Sequence, residues 1–198
     1  MSAQPDETRK PRARNARPKI ERAALKLFVN KSVEGATTRE IADEAGVSEG
    51  ALYRHYPGKD ELALALFMET HNRLGRLMIE GWQAGDSLED RVRRVVTAYC
   101  KLADEDWLLF SFHLLSLNKF LPHDVRREDD PVSITERLIE DLMDAGEIPK
   151  GDPAILAAMS LGVMMQSGQN KAYNRIDGPM SDHIDAFTRA IVAILKQK

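Results

Sequence analysis

Five histidines (His55, His71, His113, His123, His183), one cysteine (Cys100) and scattered serines are the residues from which a catalytic or metal site would be built. Their spacing builds none. There is no H-E-x-x-H pair, no cysteine cluster and no glycine-rich loop of the kind that cradles phosphate. His113 beside Ser111 and Ser116 is the nearest thing to a nucleophile and its base, but it lacks an evident acid to orient the imidazole. The spacing argues against an enzyme and implies neither a cofactor nor a metal. A different chemistry gathers between Thr37 and Lys59. Hydroxyls stand at Thr37, Thr38, Ser48 and Tyr53, and nitrogen donors at Arg54, His55 and Lys59. Such groups hydrogen-bond phosphates and base edges.

Two short helices must position them. Thr37 followed three residues later by Glu40 is a capping box, and the helix it opens sets Ile41, Ala42 and Ala45 on one side. Gly46 ends that helix, because glycine takes φ > 0 without steric cost. Ser48 caps the next, in which Ala51, Leu52 and His55 fall at i, i+1 and i+4. Two helices joined by a tight glycine turn can offer the second to a major groove. Thr37, Thr38 and Lys59 each begin a helix, where free N–H groups favour a phosphate. Arg54 is suited to guanine as a bidentate donor. His55 has two readings, a donor to DNA or a core histidine turned inward beside Leu52. Gly50 either lets the backbone approach the nucleic acid or is tolerated in the first turn, at up to about 1 kcal/mol relative to alanine. Glu49 either accepts from cytosine N4 or simply favours the helix N-terminus.

The run GATTREIADEAGVSEGALYRHYPGKDEL, Gly35 to Leu62, closely resembles the DNA-binding domain of TetR-type one-component transcriptional regulators. The likeness is dense from about Arg17 to Leu66, a third of the chain. The resemblance implies that Ser48, Glu49, Gly50, Ala51, Tyr53, Arg54 and His55 contact double-stranded DNA. Glu49 departs from a common family pattern, where a basic or polar residue is frequent. The resemblance further implies a homodimeric repressor on a palindromic operator, released by a small molecule. Pairing would use the last two helices, with Ala158, Gly162, Ile184, Phe187 and Ile191 as candidates. The effector pocket would draw on Tyr99, Trp107, Phe110, His113, Leu114, Leu117, Met143, Met164 and Met165, with Ser116, Asn118 or Gln166 as polar contacts. These walls imply a mainly hydrophobic effector.

The charge distribution suits that reading. The net charge is −3 over 198 residues, yet nine basic residues stand between Arg9 and Lys31 against Glu21 alone. From Glu61 onward 16 basic face 22 acidic residues. A basic head on an acidic body fits a polyanion at one end only. Cys100 stands alone, so no intrachain disulfide can form and a reducing compartment is expected. The N-terminus lacks the apolar stretch of a signal peptide. The longest apolar run, Ala154 to Met165, spans about 18 Å as a helix at ~1.5 Å per residue, short of a bilayer of roughly 30 Å. No membrane partner and a cytoplasmic location are expected.

No run alternates with period two for long, so the fold class is all-α, with nine helices in two domains. Residues 1–16 read as a disordered basic arm, reaching for a minor groove or adding only phosphate attraction. Residues 17–60 form a three-helix helix-turn-helix domain whose first helix carries Ile20, Ala23, Ala24, Leu27 and Phe28 as its stripe. Residues 61–198 form a helical bundle for ligand and dimerisation. Its long first helix has Leu62, Leu66, Glu69, Arg73 and Leu77 near one line and Phe67, Leu74 and Met78 on the next. Trp107 to Leu121 reads as one helix apolar on nearly all sides, ended by Pro122 before a polar loop from His123 to Pro131. Ser133 opens the following helix, Asp152-Pro153 the next, and Ser181 caps the last.

Overall fold

Side-chain acceptors fix where most of the helices begin. The computed structural model describes residues 16–82, 86–121 and 130–197, and no strand occurs among them. The helices are α1 (Ala16–Gly35), α2 (Thr38–Ala45), α3 (Glu49–Tyr53), α4 (Lys59–Gly81), α5 (Leu88–Glu105), α6 (Trp107–Leu115), α7 (Leu117–Phe120), α8 (Pro131–Asp144), α9 (Pro153–Ala172) and α10 (Ile184–Lys196). Thr37, Ser48, Ser87, Asp106, Asp130 and Asp152 each accept a backbone N–H at a helix start. The eighth helix therefore opens at Asp130-Pro131, two residues before the expected Ser133. Almost all of the expected arm, Pro122 and most of the loop after it lie outside the described residues.

The described residues form ten α-helices rather than nine, because the apolar stretch from Trp107 breaks at Ser116, whose φ of −109° and ψ of 5° leave the helical region. Nor is that stretch buried all round. Phe110 to Leu114 are buried, Leu115 is exposed and α7 buries nothing. Apolarity alone did not distinguish a core helix from a core turn followed by a surface turn.

Backbone contacts divide the chain into two compact units, one through Leu66 and one from Phe67. In the first, the head, α1 packs on α2 and α3 around Ile20, Ala24, Leu25, Phe28, Ile41, Leu52, Leu62 and Leu66. Leu25 takes the buried place expected of Leu27, which is half-buried. α1 is interrupted at Lys31 and Ser32; Ser32 sits at φ 63° and ψ 169°, a region almost reserved for glycine. Tyr56 is buried, and its hydroxyl donates to the Glu21 carboxylate while Arg17 Nε donates to both groups. Burial, then the Glu21 contact, pushes the phenol up to about 12. This triad ties the end of the helix-turn-helix back to α1.

In the second unit, the body, α5 and α9 both pack on α10, and α8 lies on α9. Its core is built from Val92, Val96, Cys100, Phe110, Leu142, Ala157, Met164, Phe187 and Leu195, among others. α6 meets α9 closely at Gly168, where an added Cβ would stand 2.6 Å from Leu114 Cδ1. Ser181 does not act as a cap. It lies in a 3₁₀ turn (Met180–His183), and Asp104 of α5 accepts both its N–H and its hydroxyl, together with the Met180 N–H. A carboxylate 77 residues away thus does the work assigned to a local serine.

Two backbone positions are opposite tests of the head. Gly46 holds φ 65° with nothing near its Cβ position, so Gly46→Ala meets only backbone strain and is expected to cost about 1–2 kcal/mol. Ser32→Gly relieves strain of the same kind and is expected to gain about 1 kcal/mol. Urea denaturation of the two variants beside the parent chain reads both signs.

Candidate nucleic-acid interface and internal cavity

α3 has five residues and ends at Tyr53. Ser48 Oγ accepts from the Ala51 N–H at 3.2 Å, and the Val47 N–H bonds back to the Ala42 carbonyl, so the turn through Gly46 is closed on both sides. Thr38 Oγ1 and the Tyr53 hydroxyl share a hydrogen bond of 3.3 Å, which sets the start of α2 beside the end of α3. The capping box is complete. Thr37 Oγ1 accepts from the Glu40 N–H, and Glu40 Oε2 accepts from the Thr37 N–H. Lys31 also donates to Glu40, and this contact, followed by those with Thr37, holds that carboxylate below its usual range.

The expected contact residues fall into three groups. Thr37, Ser48, Glu49, Gly50, Tyr53, Arg54 and His55 are exposed, and Thr38 is half-exposed, so all can meet a partner. His55 lies past the end of α3 and faces outward, which settles its two readings against the core. Ala51 is different: its side chain is only 8% exposed, turned into the head with Leu52, and only its backbone remains to offer. Lys59 is also committed. Its ammonium donates to the carbonyls of Glu34 at 3.0 Å and Ala36 at 2.8 Å, closing the end of α1 rather than standing free for a phosphate. The run of positive charge is likewise partly spent, since Arg17, Lys26 and Lys31 pair with Glu21, Glu44 and Glu40. Arg54 and the exposed Arg39 of α2 donate to no group among the described residues. Arg39 was missed, although its place off the Ile41–Ala42–Ala45 face marks it as outward.

The body holds a cavity of about 570 Å³ between α4, α5, α6, α7, α8, α9 and α10. Of the expected lining residues, Tyr99, His113, Leu114, Leu117, Met164 and Met165 border it, as does Asn118. Trp107, Phe110, Met143, Ser116 and Gln166 do not. Phe110 is consumed by an edge contact with Tyr99 at 5.0 Å and by Trp107, whose ring also faces the Lys171 ammonium at 5.0 Å. Met143 belongs to the packed core. The residue that sequence reasoning overlooked is His71. Its Nδ1 shares a 3.3 Å hydrogen bond with His113 Nε2, and Phe67 stacks on both rings. The signal was present: Phe67, His71, Leu74 and Met78 form a helical stripe, and all four are buried. On the other line of this helix Leu62 and Leu66 are buried, while Glu69 and Arg73 are exposed and Arg73 pairs with Glu105. Burial, and next the neighbouring His71, pull His113 down to about 3, so it is neutral at ordinary pH.

The family model for bacterial regulatory proteins of the tetR family matches residues 20–66, the helix-turn-helix unit and the first turns of α4. Over its head, the chain is similar to the TetR family. The head is 40% identical over 70 residues to the transcriptional regulator TtgR of Pseudomonas putida, covering 34% of this chain and 33% of that protein. It is 35% identical over 66 residues to the transcriptional repressor AcnR of Corynebacterium glutamicum, covering 33% and 35%. The chain thus matches these curated relatives over about a third of their length. The fold likeness reaches further. A tetR-family regulatory protein from Rhodococcus RHA1 superposes with a TM-score of 0.73 at 22% identity, over 93% of this chain and 98% of that one. FadR of Bacillus subtilis, solved in complex with stearoyl-CoA, does so at 0.69 and 17% identity, over 89% and 98%.

The body does not present the expected pairing residues as one surface. Phe187 and Ile191 are buried in the body's own core and Ile184 packs against it, so the stripe of α10 faces inward. α9 keeps an outward row instead. Ile155 (57% exposed), Ala158, Met159 (40% exposed) and Gly162 lie at i, i+3, i+4 and i+7.

His113 gives the structure an acid-sensitive term. Its folded value lies near 3 and its unfolded reference at 6.5, so between them the unfolded chain binds more protons. Stability is whole above about pH 6.5 and falls as pH falls, by up to about 1.4 kcal/mol per unit for this group. Urea denaturation between about pH 7 and pH 5 is expected to show a shallower loss for His113→Leu than for the parent chain.

Proposed function

We propose that this chain is a homodimeric transcriptional repressor that grips a palindromic operator through α2 and α3 and is released by a mainly apolar small molecule. The observation that carries this is the head itself: a sequence match over residues 20–66, with exposed donors at Ser48, Tyr53, Arg54 and His55 on a capped helix-turn-helix. Repression rests on the likeness to AcnR. An apolar effector is supported by the body cavity and by the stearoyl-CoA bound in the FadR structure of the same fold. Pairing through α9 is supported by its outward apolar row, and an inverted repeat in the DNA follows from a two-fold protein.

Residues through Leu66 carry the DNA contacts and those from Phe67 the effector and the partner copy. The chemistry is binding without bond-breaking, and the relatives are regulators rather than enzymes. No helix among the described residues is long and apolar enough to cross a membrane, and we assign the protein to the cytoplasm. Release works by population: effector favours a state of the dimer whose heads fit the operator poorly. A coupling of about 1–3 kcal/mol suffices and must be reciprocal, so operator DNA weakens effector binding by the same factor.

Selection from random duplex is expected to recover an inverted repeat, with binding that weakens as salt rises. Arg54→Ala is expected to lose about 1–3 kcal/mol on the selected site and to relax one base position, while Met159→Arg converts dimer to monomer in sedimentation. A strictly monomeric parent chain, or one that binds random duplex as tightly as any repeat, overturns the reading.

A further inference from the structure

No Asp, Glu, Lys or Arg lines the body cavity among the described residues. Its deep polar groups are few. Thr135 Oγ1 donates to the Pro131 carbonyl at 2.7 Å, and the Tyr99 hydroxyl points to the Met164 carbonyl at 3.5 Å. Two buried atoms on lining residues, His113 Nδ1 and Ser160 Oγ, have no hydrogen-bond partner among the described residues. Buried polar atoms are seldom left so, because the cost of stripping them of water is then not recovered.

The imidazole pair adds a constraint. If His113 Nε2 donates to His71 Nδ1, then His113 Nδ1 is an acceptor; if Nε2 accepts, Nδ1–H is a donor. A hydroxyl satisfies either arrangement and a carbonyl satisfies the second. A carboxylate or an ammonium would bring a full charge to walls whose described residues hold no opposite charge, which is the least favourable cargo for such a space. The volume is in the range that takes small organic molecules.

We infer that this cavity selects an uncharged, predominantly apolar molecule whose hydroxyl or carbonyl oxygen hydrogen-bonds His113, with Ser160 as a second polar contact. This rests on the reading of the cavity as the effector site. It narrows that reading from hydrophobic in general to neutral and oxygen-bearing, and assigns the polar recognition to named atoms.

The test uses the full chain and five molecules of one length: decanol, decanal, decanoate, decylamine and decane. Binding is read by calorimetry and by the fluorescence of Trp82, which borders the cavity. At neutral pH, decanol and decanal are expected to bind at least about tenfold tighter than decanoate and decylamine, and tighter than decane. In His113→Leu the advantage of decanol over decane is expected to vanish, and in Ser160→Ala to shrink, while decane binding persists. Ser160→Ala and a conservative His113→Asn keep the comparison available if the leucine variant does not fold. Decanoate or decylamine binding as tightly as decanol overturns the inference, as does an unchanged decanol-to-decane ratio in the folded variants. Those results leave an apolar effector site standing. Failure of all five to bind takes down the effector site and the inference together.

Discussion

A helix of five residues cannot hold itself together in water. Closing its first turn fixes several dihedrals for a single hydrogen bond, and isolated helices several times longer are marginal. α3 therefore exists only because its surroundings impose it. Ser48 satisfies one free N–H at its start, Ala51 and Leu52 anchor its inner side, and the Tyr53 hydroxyl fastens its end to Thr38. Tyr56 then locks the following turn to Glu21 and Arg17. Each of these ties is modest alone. Together they mean that the exposed donors are presented by a frame fixed before any partner arrives, which reduces the ordering cost of binding.

The same economy governs charge. Three described lysines of the head pair with acidic residues or cap carbonyls: Lys26 with Glu44, Lys31 with Glu40, Lys59 with two backbone oxygens. Exposed pairs of this kind add little stability. Their larger effect is on the field, because paired charge attracts polyanions less than free charge does. Arg39 and Arg54, both exposed and both on the helix-turn-helix, keep theirs.

Local features were legible in the sequence and distant ones were not. The capping box at Thr37, the break at Gly46 and the start at Asp152-Pro153 each involve residues within a few positions, and each stands where it was expected. Ser181 was misjudged because its partner, Asp104, comes from another helix. Phe187 and Ile191 form a clean stripe, but periodicity gives a face without saying whether that face meets its own chain or a second copy. They meet their own chain. His71 was passed over because a lone histidine on an apolar stripe carries no signal until its companion is known, and His113 lies 42 residues away. Of the residues expected around an effector, the aliphatic and thioether ones of α6, α7 and α9 border the cavity, while the large aromatics Trp107 and Phe110 pack on each other instead.

Gly168 has an influence out of proportion to its size. Leu114 stands in the space a larger side chain there would claim, and Leu114 is also part of the cavity wall. Any substituent at 168 would push that leucine, and its flexible end has the chamber to move into. The amount of room would then change while the polar atoms of His113 and Ser160, carried by other side chains, kept their places. How long a guest can be and which functional group it must carry are therefore set by separate positions, and a lineage could retune the first without disturbing the second.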